Sequence, residues 1–243
     1  CSTDWATEPY NFYDLYQKII ENLLIILLIE IVKNNLYLII EMKIVIATHN
    51  KDKLKELKKG FSELNVKLLD LSSFPEIGEI IEDGKTLREN AYIKAKTVFD
   101  LTGFPAIADD TGLEVDFLDG KPGVYTARFA GENCSYQDNV NKLLKVMKNV
   151  PKSKRGAQFK TSMVFLDKKK ELFSDGVVKG IISKKIKGVA GFGYDPLFYV
   201  CTEGKTFAEM SIERKNIISH RGLAIKALSN KLNSYLKTLN KET

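Results

Sequence analysis

Lys43-Ile44-Val45-Ile46-Ala47-Thr48-His49-Asn50-Lys51-Asp52-Lys53 is the stretch that decides the fold class. Its first five residues form a short β-branched run, and between Lys53 and Phe61 the apolar residues Leu54, Leu57 and Phe61 fall at helical spacing. The segment reads as a strand that passes through a polar turn into a helix. Free backbone N–H groups and the positive end of the helix dipole meet at such a junction, and with lysines nearby it suits a phosphate. The spacing of a Walker A loop is absent. A solvated polar turn before a basic helix is an equal alternative for this segment taken alone.

Outward from this unit, Val66 to Leu71 suggests a second strand, and Asp83-Gly84 ends the loop after it. Thr86-Leu87-Arg88-Glu89 has the form of a capping box, which predicts a helix to about Leu101. Pro105 to Val115 returns to strand, interrupted by the acid pair Asp109-Asp110, and Ser135 to Val150 reads as helix ending before Pro151. Ala157–Leu166 and Leu172–Ile182 read as two strands of a hairpin turning at Lys168-Lys169-Lys170. A glycine-rich loop, Gly188–Pro196, leads to a strand at Leu197–Val200. The last helix starts near Ser219 and is expected to bury Leu223, Leu228, Leu232 and Leu236. Helices and strands interleave, so the class is α/β with a mixed sheet.

At 243 residues and 44% apolar composition the chain can fill a substantial core, which excludes wholesale disorder. The formal charge of +6 hides an asymmetry: residues 1–41 hold two Lys against six Asp or Glu, and residues 42–243 hold 35 basic against 25 acidic residues. That excess suits a polyanionic partner, a nucleotide or a nucleic acid, as well as it suits a merely solvated surface. Cys1, Cys134 and Cys201 are odd in number and widely spaced, which favours a reducing compartment. With His49 and His220 the only histidines, a zinc centre lacks ligands, and any metal falls to carboxylates, hence to magnesium or manganese. Residues 1–41 read as an N-terminal extension, either an extra amphipathic helix or an artefact of the gene assignment, with Met42 able to serve as a start. The longest unbroken apolar run there, Leu23 to Ile29, is far short of the roughly 20 residues that span a bilayer.

Four constellations can carry chemistry. The turn Thr48–Lys53 is the first. The second is Asp109-Asp110 with Glu82 upstream: adjacent acids need a cationic partner, and a strand end with Gly112 permitting a sharp turn can present carboxylates to a hydrated magnesium. The bland reading is a turn in which Asp110 bonds local backbone. In the third, Gly191-Phe192-Gly193-Tyr194-Asp195-Pro196, glycines let the backbone approach a flat ligand on which an aromatic ring can stack, and Asp195 can accept from a base edge; Phe192 taken alone reads as core. The fourth is Lys215 followed by Ser219-His220-Arg221-Gly222. Ser219 is a good N-cap, and the donors of His220 and Arg221 can grip a purine carbonyl.

The strings T-H-N-K-D-K-L-K-E-L, E-D-G-K-T-L-R-E-N-A-Y-I-K-A, A-I-A-D-D-T-G-L-E-V, P-G-V-Y-T-A-R-F-A-G, G-F-G-Y-D-P and S-H-R-G, in this order, resemble the inosine triphosphate pyrophosphatase (Ham1-like) family across residues 42–243. The resemblance implies an elongated mixed sheet with flanking helices and two lobes around a central cleft. It also implies magnesium-dependent hydrolysis of ITP, dITP and XTP to the monophosphate and pyrophosphate by a cytoplasmic homodimer, with manganese a possible substitute and no stable nucleic-acid or membrane partner. Carried over by position, Thr48, His49, Asn50, Lys51 and Lys53 bind the triphosphate, and Glu82 with Asp110 hold the metal. Asp110, supported by Asp109, accepts the proton of the attacking water. Thr111 keeps a hydroxyl where the family more often has Ser, and Phe192, Gly193, Tyr194, Asp195, Lys215, His220 and Arg221 form the base pocket. His49 and Asp52 replace smaller family residues, which bears on the geometry of the phosphate loop. The alternatives are a Maf-like nucleotide pyrophosphatase and, less favoured, a basic nucleic-acid-binding module.

Overall fold

The computed structural model describes residues 12–37 and 42–242. Two compact units divide the chain, Cys1–Met42 and Lys43–Thr243. In the first, a helix α1 runs over Phe12–Tyr37, and residues 1–11 and 38–41 of the expected extension lie outside the described residues. The helix is not amphipathic, because seven consecutive apolar residues from Leu23 to Ile29 cover about two full turns; its large apolar side chains between Tyr16 and Ile31 are exposed. Among the described residues no helix is long and apolar enough to cross a membrane.

The second unit is built outward from the predicted strand–turn–helix. Strand β1 (Lys43–Ile46) has Ile44, Val45 and Ile46 wholly buried, the mark of a strand covered on both faces. It pairs in parallel with β2 (Lys67–Asp70) on one side and β3 (Ala106–Val115) on the other. From β3 outward, pairing is antiparallel through β5 (Gly156–Leu166), β6 (Glu171–Ile182), β7 (Phe198–Val200) and β8 (Lys205–Thr206), with the two-residue β4 (Pro122–Gly123) on the far end of β3. The β5–β6 hairpin turns at Lys168–Lys170 as expected, and Asp167 closes it, its Oδ1 accepting from the Lys169 and Lys170 amides at 2.8 and 2.7 Å.

The helices are α2 (Lys51–Gly60), α3 (Leu87–Thr102), α4 (Tyr136–Val146), α5 (Ile212–Ile218) and α6 (His220–Glu242). The capping box of α3 forms as predicted, and Ser135 with Asp138 forms a second one at α4. Apolar side chains of α3 (Ala91, Ala95 and Val98) join Val45, Ala106 and Val164 in one core cluster. Leu143 and Met147 join Phe159, Phe198 and Phe207 in another.

Four expectations are corrected. The acid pair does not interrupt β3: the strand runs unbroken through Asp109 and Asp110, opposite Met163 and Ser162 of β5. Gly112 is no turn but a point of close approach, since a Cβ there would stand 2.8 Å from the Gly123 carbonyl oxygen of β4. The helix α4 ends at Val146 rather than Val150, because the chain turns to give the Met147 and Val150 carbonyls to the buried Arg155 guanidinium at 2.6 and 3.3 Å. In α6 the buried stripe is Ala224, Ile225, Leu228 and Leu232, with Leu223 exposed and Leu236 half-buried. The helix α5 and the strands β4 and β8 are too short to show a period in the sequence.

Candidate active site

The site lies beside β3, where parallel pairing gives way to antiparallel. Since β1 pairs only with Ala106 and Ile107, β3 continues past it, and the turn Thr48–Asn50 leaves the end of β1 next to Asp109 and Asp110. A cavity of about 260 Å³ opens there, lined among others by Thr48, Lys53, Asp110, Phe192, His220 and Arg221.

At the α2 end, Asn50 is the N-cap, its Oδ1 accepting from the Asp52 and Lys53 amides at 3.0 and 3.1 Å. Those two amides are therefore already paired, which leaves cationic contact on this side to the Lys53 ammonium. Burial pushes the Lys53 pKa down, against the pull of Asp109. His49 Nε2 lies 2.9 Å from the Gly78 carbonyl and ties the turn to the segment before α3.

The paired acids separate because side chains alternate along a continuous strand. Asp109 is completely buried and meets Lys53 Nζ at 3.4 Å and Arg221 Nε at 3.1 Å. Burial alone would raise its pKa, but Lys53, Arg221 and Lys94 outweigh it and hold the carboxyl well below the usual carboxylate range. Its Oδ1 is buried without a hydrogen-bond partner. Asp110 belongs to the α3 side: its Oδ2 accepts from Asn90 Nδ2 at 3.1 Å, its Oδ1 from the Thr111 amide at 2.9 Å, and Lys94 Nζ stands 3.7 Å away. Lys94 also donates to Glu82 at 2.8 Å. Burial acts to lower the Lys94 pKa, but the Asp110 and Glu82 carboxylates raise it overall.

Glu82 and Asp110 thus converge on the Lys94 ammonium, which an ion shared by the two carboxylates would have to displace toward the phosphates. A pair of carboxylates is the donor set that magnesium accepts when water and phosphate oxygens complete its shell, so the residues fit such an ion. Among the described residues no group of three or more His, Cys, Asp or Glu gathers to hold one without outside ligands.

At the other end, Asp195 is buried and its Oδ2 accepts from Lys215 Nζ at 2.7 Å and from the Phe192 amide at 2.9 Å. Gly191 and Gly193 have φ of 76° and 59°, and a Cβ at Gly191 would strike the Asp195 carboxylate. Lys215 lies 4.7 Å from the Phe192 ring centre and Arg221 lies 5.6 Å from it. Tyr194 is consumed locally, its hydroxyl donating to the Thr126 carbonyl at 3.0 Å. His220 stacks on Phe159 with ring centres 4.4 Å apart. Burial, then Arg221 and Lys215, push its pKa well down, so the imidazole is neutral, and its Nδ1 is buried without a partner.

One residue that the sequence gave no reason to single out connects the two ends. Glu56 of α2 accepts from Lys215 at 3.0 Å and from Arg221 at 2.7 Å. Lys53, Asp109, Arg221, Glu56, Lys215 and Asp195 therefore form an unbroken chain of alternating charges. Asn90, Lys94 and Tyr136 were likewise missed. The i, i+4 spacing of Asn90 and Lys94 on the buried face of α3 was a signal, since polar residues on a core-facing stripe need partners. The fold brings together every predicted site residue except two: Lys51 is exposed, and Asp109 lies beneath the cavity rather than on its wall.

Fold and cavity together define an α/β protein whose open mixed sheet carries a charged pocket at the junction of its parallel and antiparallel parts. The chain belongs to the Ham1 family, whose model matches residues 44–231. A dITP/XTP pyrophosphatase of Geobacter sulfurreducens is 46% identical over 192 residues, covering 78% of this chain and 96% of the relative. One from Listeria monocytogenes is 46% identical over 201 residues, covering 82% and 99%. Among solved structures, a HAM1 protein from Coxiella burnetii superposes with a TM-score of 0.73 at 37% identity, covering 79% of this chain and 99% of that one. The Ham1 protein of Staphylococcus aureus gives 0.72 at 38%, again over 79% and 99%.

Proposed function

We propose that this protein hydrolyses noncanonical purine nucleoside triphosphates, ITP, dITP and XTP, to the monophosphate and pyrophosphate. The observation that carries the reading is the single cavity that Lys53, Asp110, Phe192, His220 and Arg221 all line. The names of relatives that match almost their full length point the same way.

In this reading the nucleotide lies along the cavity with its phosphates between Lys53 and Lys94 and its base against Phe192. Lys53 and Lys94 offset the charge of the pyrophosphate leaving group. Asp110, oriented by Asn90 and the Thr111 amide, accepts the proton of the attacking water. Asp109 reaches no substrate; it fixes Lys53 and Arg221. Glu82 and Asp110 hold a divalent ion, magnesium with manganese as substitute, which when bound neutralises the triphosphate and polarises the phosphorus under attack.

Base selectivity follows from donors. His220 and Arg221 reward the oxygen at C6 of hypoxanthine and xanthine and are left unpaired against the amino group of adenine, a penalty of about 1–3 kcal/mol. Arg221 has already given Nε to Asp109, one terminal nitrogen to Glu56 and the other to Thr111, so its remaining N–H groups are fixed in direction before the base arrives. The test is pyrophosphate release from ITP, XTP, GTP and ATP with and without magnesium. Release from ITP and XTP at a kcat/KM well above that for ATP, only with the metal present, is expected; equal values for all four would end the proposal.

A further inference from the structure

The mouth of the cavity is crossed by a contact that none of the site motifs contains. Tyr136, the first residue of α4, is 42% exposed and lines the cavity. Its hydroxyl accepts from Asn50 Nδ2 at 2.8 Å and lies 3.5 Å from Asp52 Oδ2, the acceptor of its own proton. Its ring packs on Phe192 with centres 5.8 Å apart and planes tilted by 38°. That separation leaves no room for a base between the rings, so Tyr136 prolongs the wall that Phe192 presents. One side chain thus touches both the turn at the phosphate end and the loop at the base end.

Its placement is built in rather than incidental. The Ser135–Asp138 capping box fixes the first turn of α4. One turn on, the buried Asn139 accepts from the Ala130 amide at 2.7 Å and donates to the Ala127 carbonyl at 2.9 Å, holding the segment that forms the next part of the cavity wall. Asp52, noted above as a departure from the family pattern, is the partner for the hydroxyl proton.

We propose that Tyr136 is a positioning residue that clasps Asn50 and Phe192 to one another, so that the phosphate turn and the base loop are held in register for a single nucleotide. The inference rests on the proposed function. Its physical content is preorganisation: two half-sites at a fixed spacing bind a ligand that spans them more tightly than half-sites that must be ordered on binding. A ligand that occupies only one half-site gains nothing from the clasp.

The test compares KM and kcat for ITP with the inhibition constant of inorganic tripolyphosphate, which occupies the phosphate end alone, in the full chain with magnesium. Tyr136→Ala is expected to raise KM for ITP about tenfold, with kcat within about twofold and the tripolyphosphate constant within about twofold. Tyr136→Phe, which keeps the ring and loses both hydroxyl contacts, is expected to fall between that variant and the wild type. Equal weakening of ITP and tripolyphosphate by Tyr136→Ala, or no change for either, would overturn the clasp while wild-type turnover of ITP left the functional reading standing. A wild-type protein inactive on ITP would overturn both.

Discussion

Asp109 and Asp110 are neighbours in sequence and opposites in circumstance. Two adjacent carboxylates invite a shared metal ion, yet the strand turns them apart and gives each its own cations, Lys53 and Arg221 for one and Lys94 for the other. Only Asp110 reaches the cavity wall, so only Asp110 can face water and substrate. Asp110→Asn is expected to lower kcat by about 10²–10⁴, the usual worth of general-base assistance, with ITP binding retained in a direct titration. Wild-type turnover in that variant would remove Asp110 from the mechanism. The buried His220 gives a second prediction. Its folded-state pKa lies below the unfolded value of about 6.5, so above that pH both states are neutral and the stabilisation is fully present. As pH falls, the unfolded chain binds a proton that the folded chain refuses, and stability is lost toward the folded pKa. Thermal melts between about pH 7 and pH 5 should therefore slope downward, and His220→Gln should flatten that slope whatever it does to the absolute Tm.

Among the elements, α5 and α6 matter because their junction delivers Lys215, His220 and Arg221 to the cavity. Ser219 caps α6 as expected, its Oγ accepting from the Gly222 amide at 3.1 Å. Gly222 is required for a different reason: a Cβ there would lie 1.7 Å from the Asn216 carbonyl oxygen. Gly222→Ala must drive the two helices apart, at a cost of about 1–3 kcal/mol typical of overpacking. Both Tm and kcat/KM for ITP should fall, because Lys215 and Arg221 move with the helices. Elsewhere, Arg155 donates to the carbonyls of Met147, Val150, Ile182 and Ser183. Arg155→Leu strands those buried acceptors, and about 3 kcal/mol or more of lost stability is expected in a denaturant titration, with little change in kcat for the protein that remains folded.

For the molecule as a whole, we propose that residues 42–243 carry the activity without help from residues 1–41. The family match begins at residue 44, and the compact unit that carries the cavity begins at Lys43. A chain starting at Met42 is expected to keep the Tm and the kcat/KM for ITP of the full chain; loss of either would make residues 1–41 part of the working protein. Local signals in the sequence were strong enough to determine the α/β class, the capping box at Thr86 and the β5–β6 hairpin, because strand period, cap chemistry and turn chemistry act over a few neighbouring residues; the scattered motifs were joined into one site only through their resemblance to the Ham1-like family. Tertiary structure alone decided which charge meets which. Glu56 and Arg221 are far apart in the chain, and nothing local distinguishes Glu56 from other solvated glutamates on a basic helix. It also decided that Asp109 is an anchor and Asp110 a wall residue, and that Tyr136 crosses the cavity mouth. The Coulomb energy of a buried pair depends on distance and on exclusion of water, and both are fixed only once α2, β3, α4 and α6 have packed around the same space.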